Sequence, residues 1–329
     1  MTRRASDDPV RATEQWFYAH GLPYFVEAEQ RDVDEALGRG RVLTLAGAAL
    51  LVAAAAGLAV GLWASDVSGG VLAAMVTFGA VLVGYAVVEL RIWPILRWTL
   101  RRTLGSLRLV FPLVTRALPL LLLFITFLFI NAEVWEVTST MDGALLWVVV
   151  LLFSGLGVVF LVVRLPEEVD RVGEEADVAR LDQRVQGTPV AAALAAADVD
   201  RLTAPPVRGL QRANLLLVLL VAQVTQVLVL SLAVFAFFIV FGRLVMTNGV
   251  IEGWTGEQLV PLGTQWLGSV QLFQVSVFLA AFSGLYFTVY AVTDQVYRDQ
   301  FFTNVSHELE RAVGVRTVYL ELRRRATAS

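Results

Sequence analysis

The sequence predicts an all-α, polytopic membrane protein with about six transmembrane helices and both termini in the cytoplasm. Three observations support this fold class. Hydrophobic residues make up 57% of the 329 residues, and the mean hydropathy is +0.67, above the usual range of globular domains. Apolar runs recur at about the 20 residues that a helix needs to cross a bilayer. Every arginine except Arg243 lies before the first run, between the second and third, between the fourth and fifth, or after the last.

The apolar runs define the predicted spans. They cover residues 42–64, 71–90, 117–134, 144–163, 213–241 and 266–292. The third span is the weakest, because its uncharged stretch is short and contains Pro119. The first run follows an arginine-bearing leader of about 40 residues, much longer than the leader of a signal peptide. It therefore predicts a retained span.

The arginine distribution predicts the orientation of the spans. All 26 basic residues are arginine, and cytoplasmic loops carry the excess of basic residues in membrane proteins. Placing the N-terminus inside leaves only Arg243 outside. The predicted organisation has three parts. A cytoplasmic N-terminal helical segment covers residues 1–41, and a transmembrane domain covers residues 42–292 and includes a cytoplasmic loop at 164–212. A cytoplasmic helical tail covers residues 293–329.

A basic amphipathic helix is predicted over residues 95–110. Leucines repeat there at helical spacing, and three arginines, Arg97, Arg101 and Arg108, each follow a leucine by one position. Such a helix suits the inner membrane surface, where the arginines would face the headgroups of anionic lipids. The alternatives are a solvated connector and a helix buried against the chain's own loops.

Three further inner segments are predicted to be helical. The stretch "EQWFYAHGLPYF" predicts a short aromatic helix at the membrane surface, stopped by Gly21 and Pro23. Alternating charges in residues 164–212 indicate an exposed helix with charge pairs along it. The tail predicts a helix to about Val313 that breaks at Gly314.

Small and polar residues inside the spans indicate where helices pack. Alanine and glycine recur every four residues at Ala49, Ala53, Gly57 and Gly61, which favours close helix approach. Glutamines occur within the last two spans, which run in opposite directions. The glutamines are Gln223, Gln226, Gln271 and Gln274. We expect the two pairs to reach similar depth in the membrane. They would then form a hydrogen-bonded contact between the helices, or line a polar path for a solute or water.

Carboxylates at the span ends are candidates for function. Glu133 and Glu136 bracket Trp135 in "FLFINAEVWEV", at the predicted outward end of the third span. Carboxylates at a helix C-terminus oppose the helix dipole, so another interaction should favour them there. The hypothesis is a cation site or a contact with another outer loop. Trp135 is predicted to lie at the membrane interface. Glu89, near the inner end of the second span, predicts an interfacial ion pair with an arginine.

Several enzyme classes are excluded by composition. The chain has no cysteine, which removes disulfides, thiolate metal sites and cysteine nucleophiles. It has no lysine, which removes a phosphate-loop lysine and a Schiff base. Its two histidines, His20 and His307, lie in inner segments without a partner histidine. We therefore expect no catalytic residues, no metal, no cofactor and no nucleic-acid partner.

Two stretches resemble an uncharacterised family of multi-pass membrane proteins from high-GC Gram-positive bacteria. They are "WFYAHGLPYFV" at residues 16–26 and "RALPLLLLFITFLFINAEVWEV" at residues 116–137. The resemblance implies a bacterial plasma membrane and carries no functional residue, since the family has no assigned activity.

Two functions are compatible with these observations. The first is a non-enzymatic, oligomeric scaffold or regulatory membrane protein with its working surface on the cytoplasmic side. Its expected partners are the bilayer with its anionic inner-leaflet lipids, a second copy of the chain and a cytoplasmic protein. The alternative is a channel or transporter subunit with an acidic outer mouth.

Overall fold

The computed structural model describes residues 9–105, 122–174, 181–195, 206–263, 268–293 and 295–328. Secondary structure in these ranges is helical apart from one isolated β-bridge, between Pro261 and Ser269. The elements are α1 (Pro9–Ala19), a 3-10 turn η1 (Pro23–Phe25), α2 (Glu27–Ala36), α3 (Arg39–Ala64), α4 (Val67–Val88), α5 (Ile92–Gly105), α6 (Leu122–Phe129), α7 (Ala132–Ser139), α8 (Gly143–Glu174), α9 (Leu181–Val185), α10 (Ala191–Ala195), α11 (Gly209–Val245), α12 (Asn248–Thr255), α13 (Val270–Thr293) and α14 (Gln295–Ala328).

The described chain has five helices that are long and apolar enough to cross a membrane. They are α3, α4, α8, α11 and α13, and the bent pair α6 and α7 is a sixth if it counts as one span. This confirms the predicted class of an all-α, multi-pass membrane protein.

Helix α1 and the C-terminal part of α14 lie on the same side of the spans. The rings of Phe17 and Tyr319 pack edge to face with centroids 5.5 Å apart, and Arg323 contacts Glu27 at 2.6 Å. We call this arginine-rich side the inner side and the opposite one the outer side.

The first two spans form a hairpin joined by small residues. Ala49 and Ala53 are almost fully buried, as their spacing predicts. Gly57 and Gly70 allow the backbones to approach so closely that a Cβ atom on Gly70 would lie 2.7 Å from the carbonyl oxygen of Gly57.

The three long helices α8, α11 and α13 pack together as the centre of the bundle. Leu272 of α13 lies beside Gly242, and Gly284 lies beside Ser231, so α11 and α13 are antiparallel. At 37 residues, α11 is about 55 Å long, which exceeds the roughly 30 Å of hydrocarbon. It therefore extends into the aqueous phase, as does α8, which continues through Pro166 to Glu174.

The inner segments fold into one layer. Helices α1, α2, α5, α9, α10 and α14 pack with the inner ends of α8 and α11 around buried apolar residues, among them Phe17, Phe25, Ile95, Leu165, Val185 and Tyr319. The aromatic side chains Phe17, Tyr24 and Phe25 are buried in this layer, not at the membrane surface as predicted.

The C-terminal helix does not break at Gly314. Helix α14 is continuous from Gln295 to Ala328, and a Cβ atom on Gly314 would lie 3.5 Å from Cβ of Arg184. The small residue marks the crossing of α9 over α14, so the predicted break is wrong.

Candidate functional site

The turn from α4 into α5 forms a corner at the inner membrane boundary. Arg91 adopts a φ of 47°, a left-handed conformation that is uncommon outside glycine. Its guanidinium donates to Glu29 at 2.6 Å and to Asp32 at 3.2 Å, and the Tyr24 hydroxyl donates to the carbonyl of Leu90. Helix α2 and the 3-10 turn therefore hold this corner in place.

Glu89 lies at the same corner and forms the predicted interfacial ion pair. Its carboxylate lies 3.7 Å from the guanidinium of Arg41, and both side chains are partly exposed. The pair connects the first turn of α3 with the end of α4, which is a structural role.

Helix α5 packs against the protein with a different face from the predicted one. Its buried stripe is Ile95, Thr99 and Thr103, whereas Leu104 is 49% exposed. The buried face is therefore not the leucine stripe that the sequence suggests. It is the face that packs against α1 and α11. Arg97 and Arg101 are exposed, as expected for residues that face lipid headgroups, and Arg108 lies outside the described residues.

A cleft of about 530 Å³ lies between the end of α1 and the exposed side of α5. Its lining consists of aromatic, small and basic residues: Tyr18, Ala19, Trp93, Pro94, Arg97, Trp98, Arg101 and Arg102. Gly21, with a φ of +69°, lets Trp98 pack so closely that a Cβ atom there would lie 3.1 Å from Cβ of Trp98. The wall of the cleft is therefore fixed by the turn after α1.

The same turn is held by a buried asparagine of α11. The Asn214 side chain accepts from the Tyr24 amide at 3.0 Å and donates to the carbonyl of Gly21 at 2.9 Å. Sequence reasoning missed Asn214, although a lone amide at the start of an apolar span is a visible signal.

The arginines around the cleft differ in their partners. Arg102 contacts Glu308 of α14 at 2.6 Å. Arg97 and Arg101 form no ion pair within the described parts of the chain. Burial and then the Glu29 carboxylate raise the pKa of the nearby Tyr18 phenol above its ordinary value, so Tyr18 stays neutral at the rim.

Most other charges of the inner layer are paired inside the protein. Arg184 contacts Glu310 at 3.3 Å with both side chains largely buried, and the Tyr319 hydroxyl donates to Glu14 at 2.8 Å. Arg164 and Glu167 form the kind of pair along a helix that the sequence predicts. The Arg184 and Tyr319 contacts join α14 to α9 and to α1.

The third span bends before the two outer glutamates. Helices α6 and α7 meet at an angle of 69°. At the bend, the Asn131 side chain accepts from the Glu133 amide at 2.8 Å and so caps α7. Asn131 was missed as a signal, although asparagine is a preferred N-cap residue.

The bend corrects the predicted position of Glu133 and Glu136. Both are exposed on α7, and Glu133 lies in its first turn, where a carboxylate is favoured by the helix dipole. The expected opposition to the dipole therefore does not arise. Trp135 is fully buried, so its predicted place at the lipid interface is wrong.

The four glutamines do not form one contact. Gln271 bonds to the backbone of Gln258 and Val260, and Gln274 donates to the carbonyl of Met141 at 2.8 Å. Leu272, the neighbour of Gln271 on α13, packs beside Gly242 of α11. Along α11, Gln226 lies roughly 24 Å from Gly242. The prediction of similar depth is wrong.

Gln223 and Gln226 instead form a buried polar spot in α11. Gln223 is fully buried, and neither of its amide atoms has a hydrogen-bond partner within the described part of the chain; the Gln226 oxygen also has none. Unpaired buried amides are costly.

An apolar groove of about 400 Å³ lies between α8, α11 and α13. Small residues of all three helices line it, including Gly157, Ser231, Ala280 and Gly284. Its chemistry is that of a lipid-facing surface.

Comparisons with known proteins found no matching family, no similar curated protein and no similar solved structure. Among the described residues, no group of three or more histidines and carboxylates is placed to hold a metal ion. The candidate sites among the described residues are the basic cleft of the inner layer and the bend between α6 and α7 that carries Glu133 and Glu136.

Proposed function

We propose that this chain is a non-enzymatic scaffold or regulatory protein of a bacterial plasma membrane, with its working surface on the inner layer. The proposal rests on the inner layer, in which helices far apart in the sequence, from α1 to α14, pack around shared buried residues. That layer is continuous with the spans through α8 and α11. A partner bound to the layer would therefore be rigidly coupled to the membrane. The partners we propose are a second copy of the chain and a cytoplasmic protein.

The proposal is tested by cross-linking in cells. A photo-reactive residue replaces either Asp34 or Gln183, which are exposed on the inner layer, or Glu136 or Glu252, which are exposed on the outer side. We expect discrete protein cross-links, to a second copy or to a cytoplasmic protein, from the inner positions. Cross-links confined to the outer positions would contradict the proposal.

The alternative is a channel or transporter subunit, and it is favoured by the buried side-chain amide of Gln223, which has no hydrogen-bond partner among the described residues. Reconstitution into liposomes with a flux assay distinguishes the two functions. The scaffold predicts no flux above that of empty liposomes. Selective flux that is lost in Gln223→Leu or Glu133→Gln would establish the alternative.

A further inference from the structure

We propose that the cleft between α1 and α5 binds the phosphate headgroup of an anionic phospholipid of the inner leaflet. This inference goes beyond the scaffold proposal and holds equally for a channel. It follows from the charges of the cleft, from its aromatic residues and from its position relative to the spans.

The lining of the cleft is positively charged. Among the described residues, none that lines it is acidic. Arg102 is partnered by Glu308, but Arg97 and Arg101 are exposed and have no ion pair within the described residues. Two guanidinium groups in one cleft that form no ion pair among the described residues provide a binding site for an external anion.

The spacing of the two arginines suits a single phosphate. They lie four residues apart on α5, so their Cβ atoms are about 6 Å apart on the same side of the helix. Guanidinium groups form bidentate bonds with phosphate oxygens. Two of them can therefore bind one phosphate diester from neighbouring positions.

The position of the cleft favours a lipid over a soluble phosphate. Helix α5 begins at Ile92, just after α4 ends at Val88, so the cleft lies at the inner boundary of the hydrocarbon. Trp93, one turn before Arg97, is 56% exposed, and Leu104, one turn after Arg101, is 49% exposed. Tryptophan prefers this interface, and both side chains would contact the glycerol and acyl regions of a lipid.

The wall of the cleft is also held by contacts within the protein. Gly21 and Trp98 fix the wall of α1 against α5, and Asn214 holds the turn from inside the protein. A preformed site loses less entropy on binding than a flexible basic tail does.

The test is native mass spectrometry of the full chain in detergent with equal amounts of phosphatidylglycerol and phosphatidylcholine. We expect the wild-type protein to retain phosphatidylglycerol preferentially. Arg97→Gln and Arg101→Gln should each reduce that preference about fivefold, and the double variant about twenty-five-fold. The matched control is Arg31→Gln, which removes one exposed inner arginine from α2 and should leave the preference unchanged.

Two further arms complete the test. Glycerol phosphate at millimolar concentration should not displace the lipid; displacement would show that the cleft recognises a soluble phosphate and would overturn the assignment to a lipid. The double variant should unfold at the wild-type temperature, since both side chains are exposed. An unchanged preference in a folded double variant, or an equal loss in Arg31→Gln, would show that the cleft is not the site.

Discussion

The indole nitrogen of Trp135 donates a hydrogen bond to the backbone carbonyl of Phe129 at 2.7 Å, across the bend between α6 and α7. In an unbroken helix that carbonyl would accept from the amide of Glu133. Here the Glu133 amide is capped by Asn131 instead. Two side chains thus satisfy two of the backbone groups that the bend releases, which helps a sharp turn to be tolerated at the end of an apolar span.

Replacing Trp135 with phenylalanine should destabilise this bend. The substitution keeps the aromatic packing but leaves the buried Phe129 carbonyl without its donor, at a cost of about 1–3 kcal/mol. Thermal unfolding in detergent measures the effect. Trp63→Phe is the control, since Trp63 is 92% exposed and should change stability by less than about 0.5 kcal/mol. Equal stability of the two variants would contradict the role of the hydrogen bond.

Gly70→Ala should separate the α3–α4 hairpin. The new methyl group would lie 2.7 Å from the Gly57 carbonyl, and overpacking of this kind costs about 1–3 kcal/mol. Gly79→Ala, on the same helix but with no neighbouring atom within 4 Å, should be neutral or slightly stabilising. Unfolding in a denaturing detergent series compares the variants, and a loss of similar size in both would show that the close approach does not matter.

Gln223→Leu and Gln274→Leu should differ in their effects on stability. The first removes a fully buried amide that has no hydrogen-bond partner among the described residues, so stability should be unchanged or higher by about 1–3 kcal/mol. The second removes the bond to the Met141 carbonyl and should lower stability by about 1 kcal/mol. The same flux assay is run on both variants. A Gln223→Leu protein that loses stability would indicate that the amide binds something the described residues do not supply.

Alkaline pH should destabilise the inner layer. Burial and then the Glu29 carboxylate raise the pKa of Tyr24 to about 12. In the unfolded chain the phenol loses its proton at about pH 10, so the folded state binds the proton more tightly. The stability that the protonated Tyr24 phenol contributes is fully present below about pH 10. It is lost as the pH rises toward 12, by up to about 1.4 kcal/mol of unfolding free energy per pH unit.

The measurement is the unfolding temperature in detergent between pH 9 and pH 11.5. Tyr24→Phe should be less stable near neutral pH, because it lacks the hydrogen bond to Leu90. It should also lose stability less steeply with pH. A slope identical to that of the wild-type protein would show that Tyr24 does not contribute to the pH dependence.

The glutamines show where prediction from sequence failed, and the bend shows what the sequence left open. The hydrophobicity of residues 117–134 indicated a weak third span, and summed hydropathy does not reveal a bend at a single capping residue such as Asn131. Gln223 and Gln271 were predicted to reach similar depth from their distances to the ends of the predicted spans 213–241 and 266–292. In the structure α11 is longer than the bilayer is thick.

The sequence by itself determined the fold class, the spans, the side that carries the arginines and the pairing of Glu89 with an arginine. These properties depend on local quantities: the apolar length of a segment, and the cost of moving an arginine across the bilayer. Only the tertiary structure decided which face of α5 is buried, that α14 passes through Gly314 without a break, and that Arg97 and Arg101 share a cleft with Trp98. Those outcomes depend on packing partners far away in the chain, so no local pattern determines them.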